Sequence, residues 1–130
     1  MKKTAKSLGY SIVGLTHAIK SEKNLRHFLL AHALLMLIGI WIRMDIFVLL
    51  SACIFAGFFV VIELLNTAIE RLADTVDDCE KTHRGGHYHH GIKLTKDVAA
   101  AAALIALLLY IALITLTFLP YVLYYFRPTA

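Results

Sequence analysis

Charge is what this 130-residue sequence has least of: Asp, Glu, Lys and Arg together make up 17% of it. Hydrophobic residues account for 59%, against about 45–50% apolar residues in ordinary soluble domains, and the mean hydropathy is +0.71. That balance excludes a disordered tail protein and argues against a water-soluble enzyme built on one buried core. Cysteine is also scarce. Cys53 and Cys79 stand far apart with no C-x-x-C, which excludes a zinc ribbon and a dense disulfide scaffold and leaves two free thiols. No G-x-x-x-x-G-K-[ST] run offers a glycine-rich phosphate cradle, and no segment repeats. The first residues lack the unbroken apolar run of a cleavable signal, since Lys2, Lys3 and Lys6 are followed by Ser, Gly, Thr, His and Lys; the start is expected to be retained. The 13 basic residues outnumber the nine acidic ones, giving a net charge of +4. They flank apolar runs instead of forming an aromatic-interleaved block, so the expected partner is an anionic membrane surface and not nucleic acid.

What is present is three long runs without Asp, Glu, Lys or Arg: His27 to Ile42, Ile46 to Ile62, and Val98 to Phe126. A membrane span needs about 20 mainly apolar residues, so each run is a candidate span. The fold expected is an all-α membrane protein of one domain, residues 1–130, in which an N-terminal amphipathic surface helix precedes three transmembrane helices. The surface helix takes residues 1–24, with Leu8, Ile12, Leu15 and Ile19 on one stripe. The spans take residues 25–43, 46–74 and 97–126, with a polar loop over residues 75–95. Arg43, Met44 and Asp45 suffice for a tight turn between the first two. Lys and Arg gather before the first span and between Arg71 and Asp97, which places both segments in the cytoplasm, with the N-terminus inside and the C-terminus outside.

The second run passes without Gly or Pro into Glu63-Leu-Leu-Asn66-Thr-Ala-Ile-Glu70-Arg-Leu-Ala-Asp74. At about 100° per residue, Glu63, Asn66, Glu70 and Asp74 share a stripe roughly 80° wide. A solvated helix face accounts for Asp74 about as well as a site does. Glu63 is different, because it follows 17 uncharged residues and a carboxylate near the headgroup boundary needs a partner or a use. Clustered carboxylates facing basic residues suit a hard divalent cation.

That twelve-residue stretch resembles the signature of the prokaryotic diacylglycerol kinase family, small three-span membrane enzymes. The resemblance extends to Gly9-Tyr10-Ser11, Gly14-Leu15, Glu22 and Trp41, and to His89-His90-Gly91-Ile92-Lys93-Leu94-Thr95-Lys96-Asp97-Val98-Ala99-Ala100 before the third span. The segment from Thr75 to about Tyr88 is longer and richer in His and Gly than the family pattern, which unsettles the alignment of His89 but not that of Lys96-Asp97. The resemblance implies transfer of the γ-phosphoryl group of MgATP to a membrane lipid hydroxyl, 1,2-diacylglycerol first and undecaprenol as the alternative. Glu22-Lys23-Asn24 matches a Glu-x-Asn of relatives that use undecaprenol, while Gly9-Tyr10-Ser11 and Trp41 favour diacylglycerol. The resemblance further implies Glu63 as general base, Glu22 and Glu70 as Mg²⁺ ligands, and Asn66 and Lys96 on the phosphates. Tyr10, Asp74, His89 and Asp97 would bound the ATP site, and Trp41 would touch the lipid. It also implies a homotrimer in the bacterial inner membrane with sites between subunits; the run Ala99–Ala103 suits close helix approach, or is ordinary apolar filler.

Two readings compete outside that resemblance. A cation-handling membrane protein would need a path across the bilayer, yet the middle of all three apolar runs lacks an ionisable group. His83, His87, His89 and His90 form a His-rich tract, but its two glycines offer a metal little preorganisation. His27 and His32 are expected to be interfacial or helix-contact residues, and His17 to sit on the polar side of the surface helix.

Overall fold

A computed structural model describes residues 2–84 and 90–127. They form four helices: α1 (Lys2–Ser21), α2 (Lys23–Trp41), α3 (Ile46–Arg84) and α4 (His90–Tyr125). The last three are long and apolar enough to cross a membrane, so the expected all-α architecture of one N-terminal helix before three spans is the one observed. The 75–95 segment differs from expectation, since α3 runs on to Arg84 and α4 already begins at His90. The polar residues after Asp74 solvate a helix that has left the bilayer, and Thr75–Arg84 contains neither Gly nor Pro to stop it. The helix-breaking signal is the pair Gly85-Gly86.

At about 1.5 Å per residue, α2 is roughly 28 Å long, close to the thickness of a hydrocarbon core, while α3 and α4 approach 58 and 54 Å. Their surplus lies at one end. At the other, the α2–α3 turn is closed by Met44 N–H donating to the Gly39 carbonyl at 2.9 Å and Arg43 N–H donating to that of Ile40 at 3.1 Å, the Schellman pattern of a helix C-terminus. Arg43 takes the left-handed position this requires, with φ of 56°. Asp45 then caps α3, its Oδ1 accepting from Phe47 N–H at 2.7 Å.

The principal packing is α3 against α4, with α2 laid more lightly on them and α1 touching α2 and α3. Ala52, Ala56, Ala99 and Ala103 are buried, and such small residues let helix backbones approach in lipid, where van der Waals contact drives association. Two aromatic-rich clusters fill the remaining space. Met44, Leu49, Ala52 and Phe118 lock the turn end. Phe28, Ala56, Phe59 and Tyr110 lock the centre, with the Phe28 and Phe59 ring centroids 4.1 Å apart. Many of the remaining large apolar side chains point outward, among them Leu34, Phe47, Phe58, Leu108 and Leu116, and so do Leu8, Ile12 and Val13 of α1. Lipid or neighbouring protein is the solvent such a surface needs.

Candidate functional site

Residues of α2, α3 and α4 line a partly open cavity of about 650 Å³. One end is polar, lined by Asn24, His27, Glu63, Asn66 and Glu70; the other is apolar, lined by Phe28, Phe59, Leu104, Leu107 and Ile111. Glu63 lies 17 residues into α3, about 26 Å from its start at the helical rise. It therefore meets the far face of a bilayer core about 30 Å thick. Its side chain is buried, the residue being 8% exposed, within electrostatic reach of the carboxylates of Glu70 and Glu22. Asn66 Nδ2 donates to Glu70 Oε1 at 3.1 Å. Asn66 Oδ1 is buried and accepts no hydrogen bond among the described residues.

Glu22 occupies the break between α1 and α2 as the N-cap residue of α2, with extended backbone and no capping hydrogen bond from its side chain. Its Oε1 accepts instead from Ser21 Oγ at 3.0 Å and pairs with the Arg71 guanidinium at 3.2 Å. Arg71 also donates to Ser21 Oγ at 2.5 Å, so the residue next to Glu70 pins the α1–α2 junction to α3. One turn beyond Glu70, Asp74 accepts from Lys96 Nζ at 2.7 Å. Lys96 is itself one turn before Ala100 of the cavity wall, on the same face of α4.

The fold thus brings Glu63, Asn66 and Glu70 into one wall, sets Glu22 beside them, and pairs Asp74 with Lys96. It does not bring in three other expected residues. Tyr10 is exposed on α1, with Lys6 Nζ 6.0 Å from its ring centroid. Asp97 is exposed, about 100° around α4 from Lys96. Trp41 is exposed at the opposite end of the molecule, its ring 5.4 Å from that of Tyr125. His89 lies outside the described residues.

Chemically, the wall offers oxygen donors, the carboxylates of Glu63 and Glu70 and the unpaired amide oxygen of Asn66, with the Glu22 carboxylate near them. No group of three or more His, Cys, Asp or Glu closes on one point among the described residues. Such a set suits a hard cation that retains waters and shares substrate oxygens, and does not suit a soft metal held in a protein cage.

Residues 9–118 match the family model described as prokaryotic diacylglycerol kinase. The chain belongs to that family. The diacylglycerol kinases of Escherichia coli (strain K12) and Shigella flexneri are each 31% identical to it over 110 residues, covering 85% of this chain and 82% of the relative. Family and relatives alike support a lipid kinase, a phosphotransferase that resides in a membrane.

Against that family background, several wall residues stand outside the expected site. Asn24 and His27 line the polar end, although the sequence marks Asn24 only through the Glu-x-Asn spacing. Tyr110 lines the apolar end, and its hydroxyl lies 2.8 Å from His32 Nδ1. The signal available for Tyr110 was its hydroxyl, the polar group at the middle of a run otherwise read as lacking any ionisable one.

Proposed function

We propose that this chain transfers the γ-phosphoryl group of MgATP to the free hydroxyl of 1,2-diacylglycerol, yielding phosphatidic acid and ADP. The observation that carries this is the buried Glu63, placed where the polar and apolar ends of one cavity meet at bilayer-surface depth. A lipid with one hydroxyl and long chains has that same division. Glu63 takes the hydroxyl proton, the freed oxygen bonds to the γ-phosphorus, and the bond to the ADP oxygen breaks. Asn66 Nδ2, through the N–H not given to Glu70, orients the triphosphate together with Lys96, with Asp74 aiming the Lys96 ammonium. Glu22 and Glu70 would hold Mg²⁺, which when bound neutralises phosphate charge; hard oxygens and an unpaired buried amide oxygen fit that ion.

The enzyme acts from the cytoplasmic face of a bacterial inner membrane, N-terminus inside. It works as a homotrimer whose neighbours cover part of the outward apolar faces and complete the sites. A second reading replaces diacylglycerol by undecaprenol, and is favoured by Asn24 in the cavity wall. The deciding experiment offers labelled ATP and both lipids side by side to purified wild type and Glu63→Gln. Wild type is expected to phosphorylate diacylglycerol, and the variant to assemble normally with under a few per cent of that turnover, since general-base removal costs about 10²–10⁴. An active variant removes Glu63 from the base role.

A further inference from the structure

The feature that the phosphoryl-transfer machinery leaves unexplained is a polar pair deep in the apolar half of the cavity. Tyr110 is 8% exposed, packs its ring edge-on against Phe28 at 4.9 Å, and places its hydroxyl 2.8 Å from His32 Nδ1. His32 is stacked on Phe28 with 4° between the ring planes, so the imidazole is held by its neighbour. Tyr110 lines the cavity whereas His32 stands behind it. Polar side chains at this depth are costly and mark function more often than packing.

The depth is informative. Tyr110 shares one cluster with Phe59, and Phe59 precedes Glu63 by one helical turn, about 6 Å along α3. In a diacylglycerol the two ester carbonyl oxygens are five and six covalent bonds from the free hydroxyl oxygen, roughly 5–7 Å away at about 1.2–1.5 Å per bond. A hydroxyl resting on Glu63 with its chains toward Leu107 and Ile111 therefore presents a carbonyl at the level of Tyr110. The tautomer of His32 with its proton on Nδ1 donates to the phenol oxygen and leaves the phenolic hydrogen for a second acceptor.

We infer that Tyr110 donates a hydrogen bond to an ester carbonyl of a diacyl glycerolipid substrate, with His32 as the residue that positions its hydroxyl. This selects ester-linked glycerolipids over alcohols of similar bulk whose chains carry no carbonyl. It rests on the lipid kinase reading above and deepens it.

The test compares three acceptors with purified full-length protein in mixed micelles: 1,2-diacylglycerol, its diether analogue, and undecaprenol. Tyr110→Phe keeps the ring and its contacts with Phe28 and Phe59. It is expected to lower kcat/KM for the diester about threefold to tenfold, the range of one ordinary hydrogen bond, and to leave the diether unchanged. His32→Leu should lower the same diester-to-diether ratio, and His32→Gln, which retains a donor, should restore part of it. Equal losses on diester and diether would reduce the pair to a clasp between α2 and α4 and overturn the inference, as would no loss on either. Wild-type turnover of undecaprenol with neither glycerolipid used would overturn it while leaving the kinase reading standing. Absence of turnover with all three would sink the kinase reading itself.

Discussion

Replacing Asn66 by Leu separates what this residue does for the fold from what it does for the chemistry. The two side chains share branching and number of heavy atoms, so the half-buried position is refilled. Two terms change in opposite directions. Removing Oδ1, which is buried without a partner among the described residues, relieves an unsatisfied acceptor worth about 1–3 kcal/mol. Removing Nδ2 deletes the 3.1 Å hydrogen bond to Glu70, and bonds to charged groups are worth about 1.5–3 kcal/mol. Glu70 is only half-buried, so its term belongs at the lower end, and the sum stays within about 1.5 kcal/mol of zero. For a chain of this size that is an apparent Tm within about 6 °C of wild type, read by thermal unfolding in detergent. Catalysis has no such cancellation. Loss of a contact to a charged phosphate is expected to lower kcat/KM for ATP about 10- to 150-fold, the same 1.5–3 kcal/mol expressed as a rate. A fall in Tm beyond about 10 °C would show that Oδ1 is paired in the native protein. A kcat/KM for ATP within twofold of wild type would refute the phosphate contact.

Glu22→Ala and Glu70→Ala are expected to shift the Mg²⁺ titration of activity to higher concentration, with turnover partly recovered at high metal. Titrations overlaying wild type would dismiss the two ligand assignments. In a background without Cys53, an impermeant thiol reagent on intact cells should leave Cys79 unlabelled and should label a cysteine placed at Thr129. Labelling of Cys79 from outside would put the carboxylate stripe away from ATP, and the kinase reading would fall with it.

Much of this architecture was legible because the bilayer imposes a simple grammar. Runs free of charge give the spans, and the position of Glu63 after the second run gives its depth. The stripe through Glu63, Asn66 and Glu70 followed from helical periodicity alone, and these three do share a cavity wall. What stayed hidden depended on contacts between helices. The spacing of Phe28 and His32, one turn apart on α2, carries no hint that Tyr110 of α4 will meet both. Arg71 reads as one more cytoplasmic positive charge, and only the fold reveals it holding Ser21 and Glu22 across α1 and α3. The extent of α3 is hidden for another reason: polar composition reads as a loop signal, yet a helix emerging into water needs the same polar surface.

The unbroken run of α3 from Ile46 to Arg84 makes the bilayer itself a part of the instrument. Its turn end is fixed at one surface by the Arg43–Asp45 closure, and the rod carries Glu63 a set distance towards the other. On the proposed reaction, hydrocarbon thickness then decides whether that carboxylate meets the plane in which lipid hydroxyls lie. A thinner bilayer lifts it out of that plane and a thicker one draws it under, unless the rod tilts in compensation. Azimuth is coupled to height in the same way, since one residue added below Glu63 turns the whole stripe by about 100° away from α4. Lipid composition and helix register are thus two settings of a single gauge.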